Sequence, residues 1–184
     1  MRRTKYHRRR FIKTATAAAG GATLMTACGT APSRWRFLTE AEAQLVDLIT
    51  EQVIPADQDP GAREAGVVNF IDKQLASHYT RFQEDYRAGL AGVEETCRAM
   101  FGRPFAALKW DAQTKVLQSL ESGKAPGETW LKRSSAQFFE LIRDHTMQGF
   151  YGSPRHGGNR NYVSYRMLGL DYPQIIGQNR YRKG

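Results

Sequence analysis

Apolar positions along this chain recur at spacings of three and four residues in several separate stretches, the period of helices that bury one face. The first stretch is Leu45, Val46, Leu48, Ile49 and Val53. Ahead of it Thr39 is placed as an N-cap, Glu42 lies three residues on, and Leu38 can staple against Ala43, so a capped helix is predicted that Pro55 ends. Val67, Phe70, Ile71 and Leu75 mark a second helix, running from about Val67 to Tyr79 or beyond. Tyr86, Leu90, Val93, Cys97 and Phe101 mark a third, from about Glu84 to Met100, which Gly102-Arg103-Pro104 breaks. A fourth spans Ala112 to Ser122, with Asp111 as its cap, Val116, Leu117 and Leu120 inward, and Gly123 at its end.

The fifth stretch carries two neighbouring stripes: Phe138, Leu141, Ile142 and His145, and Phe139, Ile142, Thr146 and Phe150. A helix apolar on both stripes belongs in the core rather than on its edge, and this one stops at Gly152-Ser153-Pro154. No strand-like alternation of useful length and no internal repeat is present. The pattern therefore predicts an all-α fold, a single domain of about five helices followed by an ordered Gly-rich loop. In that loop, His156-Gly157-Gly158-Asn159-Arg160-Asn161 asks for positive φ or a close backbone approach. It reads either as a turn docking the C-terminus on the core or as a presented loop that meets a partner or ligand.

Charge changes the picture at one end only. The 184 residues carry a formal charge of +9, but seven of the 27 basic residues lie within residues 1–28, where there is no acid. The other 20 face 18 acidic residues, so the remainder is nearly balanced and a nucleic-acid-binding reading fails. The basic block contains Arg8, Arg9, Phe11, Ile12 and Lys13, which match the twin-arginine pattern R-R-x-F-L-K with Ile for Leu. The run from Thr14 to Ala27 is too short and too mild for a stable membrane span. Twin-arginine signals are receptor-read addresses for the export of folded proteins. Residues 1–28 are thus expected to be an export signal, 29–37 a linker, and 38–184 the helical domain, placed in the periplasm.

Leu24-Met25-Thr26-Ala27-Cys28-Gly29 resembles a bacterial lipobox, so Cys28 is a candidate for lipidation and for tethering to the inner membrane. The alternatives are ordinary cleavage between Ala27 and Ala31 or retention of the segment as an anchor. Cys97, the other cysteine, then has no disulfide partner and reads as a small core residue.

The chain is poor in candidate chemistry. No G-x-G-x-x-G follows a strand, no C-x-x-C-H is present, and no G-x-S-x-G elbow appears. No catalytic, cofactor-binding or metal-binding residues are assigned. Asp57 and Asp59 sit in a Pro- and Gly-rich crossing and lack a third ligand at suitable spacing. Two readings can be built on single features of the chain. One is a stand-alone periplasmic helical lipoprotein or binding module, built on Cys28 and the glycine loop. The other is an enzyme or metal protein using Asp144, His145 and His156.

An ordered set of short motifs carries a resemblance over most of residues 38–173. They are Ile54-Pro55-Ala56-Asp57, Pro60-Gly61-Ala62, Ala65-Gly66-Val67, Phe70-Ile71-Asp72, Thr146-Met147-Gln148-Gly149-Phe150, Pro154, Gly157-Gly158-Asn159-Arg160, and the aromatic stretch from Tyr165 to Leu170. The set resembles the gluconate 2-dehydrogenase subunit 3 family, with Tyr165 where Trp is expected. The resemblance implies a small subunit without a cofactor of its own. Its partner would be a large FAD-dependent subunit of the glucose–methanol–choline type that oxidises a sugar acid, sugar or polyol. A cytochrome subunit carrying haem c often joins such complexes. The small subunit's implied role is folding, stability and export of the large one through the twin-arginine (Tat) translocase. Tyr151, His156, Gly157, Gly158, Asn159, Arg160 and Tyr162 are then the candidate partner interface, and Trp35 and Trp110 are further aromatic anchors.

Overall fold

Thr39 starts the first helix as the sequence pattern predicts: its hydroxyl accepts from the Glu42 N–H at 3.2 Å while the Glu42 carboxylate accepts from the Thr39 N–H at 2.8 Å. This computed structural model describes residues 34–170, and the expectations for the export signal and Cys28 lie outside them. Helix α1 spans Glu40–Val53 and buries Ala43, Leu45, Val46 and Ile49. Leu38, just before the cap, is buried beside Ala43.

Helix α2 spans Val67–Leu75 and is covered on nearly every side: Val67, Val68, Phe70, Ile71, Asp72, Gln74 and Leu75 are all buried. It ends a full turn earlier than expected. The N–H groups of Ser77 and Tyr79 both turn back to the Gln74 carbonyl, and the Gln83 side chain takes the Leu75 carbonyl at 2.9 Å. Ala76, Ser77 and His78 are exposed, and a 3-10 turn over Thr80–Phe82 redirects the chain into α3. Helix α3 spans Gln83–Phe101 and closes on Gly102 in the left-handed conformation.

Helix α4 spans Trp110–Glu121 and starts two residues before the predicted boundary. Lys109 occupies the cap position without a side-chain hydrogen bond, so Asp111 is not a cap. It lies in the first turn, where its charge suits the helix dipole. Gln113 stitches this end into the fold, donating to the Phe105 carbonyl at 3.0 Å and accepting from Gln52 of α1 at 3.0 Å.

Helix α5 spans Ser135–Tyr151 and packs against α1, α2, α3 and α4. Phe138, Ile142, His145, Thr146, Gly149 and Phe150 are buried, whereas Leu141 and Phe139 are half-buried. The helix is central as the double stripe predicts, yet Met147, Gln148 and Tyr151 remain exposed along one edge of its last turns. Beyond it come 3-10 turns over Pro154–His156 and Arg160–Tyr162, and a short sixth helix, α6, over Val163–Met167. The described residues are thus all-helical, one element richer than the pattern of five. Cys97 is wholly buried with a free thiol, and burial pushes its pKa up to about 12.

Candidate functional site

The outer face of α2 is a polar rail for the loop that follows α5. Asn69 and Lys73, one turn apart, donate to the carbonyls of Gly157 at 2.6 Å and Arg155 at 2.8 Å. Farther along, the Arg160 N–H donates to the Ala65 carbonyl at 2.9 Å. Asn159 is completely buried and works in both directions, donating to the Gly152 carbonyl at 2.9 Å and accepting from the Ser164 N–H at 3.0 Å. The two glycines meet the two demands read from the sequence. Gly157 has φ +106°, and a Cβ on Gly158 would lie 2.1 Å from the Gly149 carbonyl oxygen. The loop therefore sits directly on the backbone of α5.

Of the residues expected to form an interface, Gly158 and Asn159 are buried and hold the loop from within. Arg160 and Tyr151 are exposed, and His156 and Tyr162 are half-buried. Asn159, Asn161 and Tyr162 have φ of 43°, 55° and 57°. Positive φ is tolerable for Asn but strained for an aromatic residue, so surrounding bonds impose the course of this segment. Trp110 is exposed at the start of α4, and Trp35 donates to Glu40 at 2.9 Å.

Beside the loop, α2 and α5 leave an open groove of about 460 Å³. Phe70, Tyr79, Met147 and Tyr151 supply its apolar lining, and His78 and His156 line it as well. Burial lowers the pKa of His156, and the neighbouring charges of Arg155, Lys73 and His78 act in the same direction.

The residues of the metal or enzyme reading are not brought together. His145 is buried, lies 2.9 Å through Nδ1 from the Tyr86 hydroxyl, and stacks on Tyr79 with ring centroids 4.6 Å apart. Burial drops its pKa to about 4 and raises that of Tyr86, so a protonated phenol and a neutral imidazole share this hydrogen bond. Asp144 points elsewhere and pairs with Arg143 at 3.3 Å. Asp57 accepts from the Asp59 N–H at 2.8 Å, a turn-forming bond. Among the described residues no group of three or more His, Cys, Asp or Glu side chains is placed to hold a metal ion. None of their helices is long and apolar enough to cross a membrane.

Asp72 has a role that periodicity did not reveal. Its carboxylate is fully buried in α2 and accepts from the backbone N–H groups of Arg36 at 2.9 Å, Phe37 at 2.9 Å and Leu38 at 3.0 Å. The Arg36 guanidinium approaches it at 3.5 Å and also reaches Asn69. One acid thus clasps the segment that leads from the N-terminal region into the domain. The available signal was its position: a charged residue immediately after Ile71 and three before Leu75, inside an apolar stripe.

Neither a curated protein nor a solved structure matches the chain. The family model for gluconate 2-dehydrogenase subunit 3 matches residues 40–171, spanning α1 through α6 and including Asp72 and the Gly157-Gly158 loop. The chain belongs to the gluconate 2-dehydrogenase subunit 3 family.

Proposed function

We propose that this chain is the non-catalytic small subunit of a periplasmic, membrane-associated, flavin-dependent dehydrogenase acting on a sugar acid, sugar or polyol. In this role it supports folding, stability and export of a large FAD-bearing subunit of the glucose–methanol–choline type. The observation that carries the reading is the family match across residues 40–171, on a chain whose N-terminal region contains Arg8-Arg9-Arg10-Phe11-Ile12-Lys13. A flavoprotein that acquires FAD in the cytoplasm must be exported folded, and a twin-arginine signal directs that kind of export. A partner lacking a signal of its own would cross with this chain. Tyr151 at the end of α5 and the loop residues His156, Arg160 and Tyr162 are the contacts proposed for it, because the course of the loop is held by buried bonds rather than left to solvent. A cytochrome carrying haem c would complete the path of electrons, and a lipid on Cys28 would add a membrane tether.

The test is to isolate this chain from native periplasmic and membrane fractions and record a visible spectrum of what accompanies it. A stoichiometric large partner with a flavin spectrum is expected. A lone, colourless chain would refute the subunit reading and favour a stand-alone lipoprotein. Deleting residues 1–13 should leave both proteins in the cytoplasm; a flavoprotein that still reaches the periplasm would defeat the carrier role alone.

A further inference from the structure

Three features converge on the groove between α2 and α5. The first is apolar surface. Met147 and Tyr151, four residues apart on α5, are 42% and 38% exposed, beside Phe70 and Tyr79, whose rings meet edge to face at 6.5 Å. The second is an unpaired polar group. Gln74 lines the groove and is only 5% exposed, yet its side-chain amide has no hydrogen-bond partner among the described residues. The amide opens onto the groove, where it can pair with both an acceptor and a donor, and an extended peptide backbone supplies both.

The third feature is uncompensated positive charge. Lys73 precedes Gln74, its Nζ bound to the Arg155 carbonyl, and the Arg155 Nε lies 3.0 Å from the His156 Nε2. Among the described residues neither Lys73 nor Arg155 has a carboxylate within ion-pair distance. The acid of α2, Asp72, is spent on the backbone of Arg36 to Leu38, and Asp144 of α5 is paired with Arg143. Lys73 and Arg155 lie beside His156, just outside the groove lining, so an apolar groove flanked by cations complements a segment that combines apolar side chains with acids.

We infer that this groove receives an extended acidic segment of a partner polypeptide. Apolar side chains of the segment lie on Phe70, Tyr79, Met147 and Tyr151, its backbone pairs with the Gln74 amide, and its carboxylates face Lys73 and Arg155. The inference rests on the subunit reading, and it assigns that segment to the large flavoprotein subunit.

The test uses the full chain in its native complex, with a photo-crosslinking residue replacing Met147 and mass spectrometry to locate the cross-link. Two variants accompany it: Lys73→Glu with Arg155→Glu, and Gln74→Leu. The expected results are a cross-link to a flavoprotein segment rich in Asp or Glu, and an affinity reduced about tenfold or more by the charge reversal. Gln74→Leu should weaken association without lowering the melting temperature of the free chain, since the amide has no internal bond to lose. A flavoprotein that co-purifies normally while both variants bind as tightly as wild type overturns the groove and leaves the subunit reading standing. So does a cross-link that maps to a basic segment or to another copy of this chain. Absence of any flavoprotein from the wild-type preparation overturns both.

Discussion

Replacing Asp72 by Asn is the most direct probe of how the domain is closed. The side chain keeps its size but loses its charge, in a site of zero exposure. The native carboxylate accepts three backbone N–H groups, at 2.9 Å from Arg36, 2.9 Å from Phe37 and 3.0 Å from Leu38. An amide oxygen placed at Oδ1 could keep Phe37 and Leu38, but the NH₂ would then confront the Arg36 N–H and guanidinium. Hydrogen bonds to charged groups contribute about 1.5–3 kcal/mol against about 0.5–1.5 for neutral ones. Weakening two such bonds and opposing a third gives a loss of about 2–4 kcal/mol. For a domain of this size each kcal/mol lowers the melting temperature by about 2–4 °C, so a fall on the order of 10 °C is expected. Thermal denaturation gives the first reading, and amide hydrogen exchange should show residues 36–38 losing protection ahead of the rest. A variant within about 0.5 kcal/mol of wild type, with those amides still protected, would refute the clasp.

Gly158→Ala should displace the loop, because its Cβ would lie 2.1 Å from the Gly149 carbonyl oxygen and the obstacle is backbone. A loss of about 2 kcal/mol or more is expected in chemical denaturation, and an unchanged midpoint would mean the loop is not seated on α5. His145 makes stability depend on pH. Its folded pKa of about 4 lies below the ordinary 6.5, so the unfolded chain binds more protons between those values. The contribution is full above pH 6.5 and is lost as pH falls towards 4, worth about 3 kcal/mol in all. Denaturation of wild type and His145→Gln across that window should show a steeper slope for wild type, and parallel slopes would contradict the assignment. Cys97 should resist alkylation in the native state at neutral pH and react only on unfolding, as site-resolved mass spectrometry would show; prompt native labelling would contradict its burial.

Legibility in the sequence followed the range of the interactions concerned. The Thr39–Glu42 box and the start of α1 depend on residues within one helical turn, and both were readable. The Cys97 stripe and the ending of α5 at Gly152 were readable for the same reason. The end of α2 was not, because the Leu75 carbonyl is taken by Gln83, the first residue of the next helix. Asp111 looks like a cap in isolation, but Gln113 pairing with Gln52 and Phe105 draws the start of α4 back to Trp110.

The glycine loop was half legible. Two glycines beside Asn announce unusual backbone, but nothing local says that Gly158 must clear the Gly149 carbonyl or that Asn159 would be buried.

By itself the sequence determined the helical class, the order of the five main helices, the core identity of Cys97 and the family likeness. Helix period, caps and breakers act through neighbours a few residues away, so they can be read along the chain. Only the tertiary structure decided that Asp72 would clasp Arg36 to Leu38, that Asn69 would hold Gly157, and that Gln74 would line a groove with Met147 and Tyr151. These partners lie tens of residues apart; the loop and groove contacts depend on how α2 packs against α5, and the clasp on how the segment before α1 lies against α2.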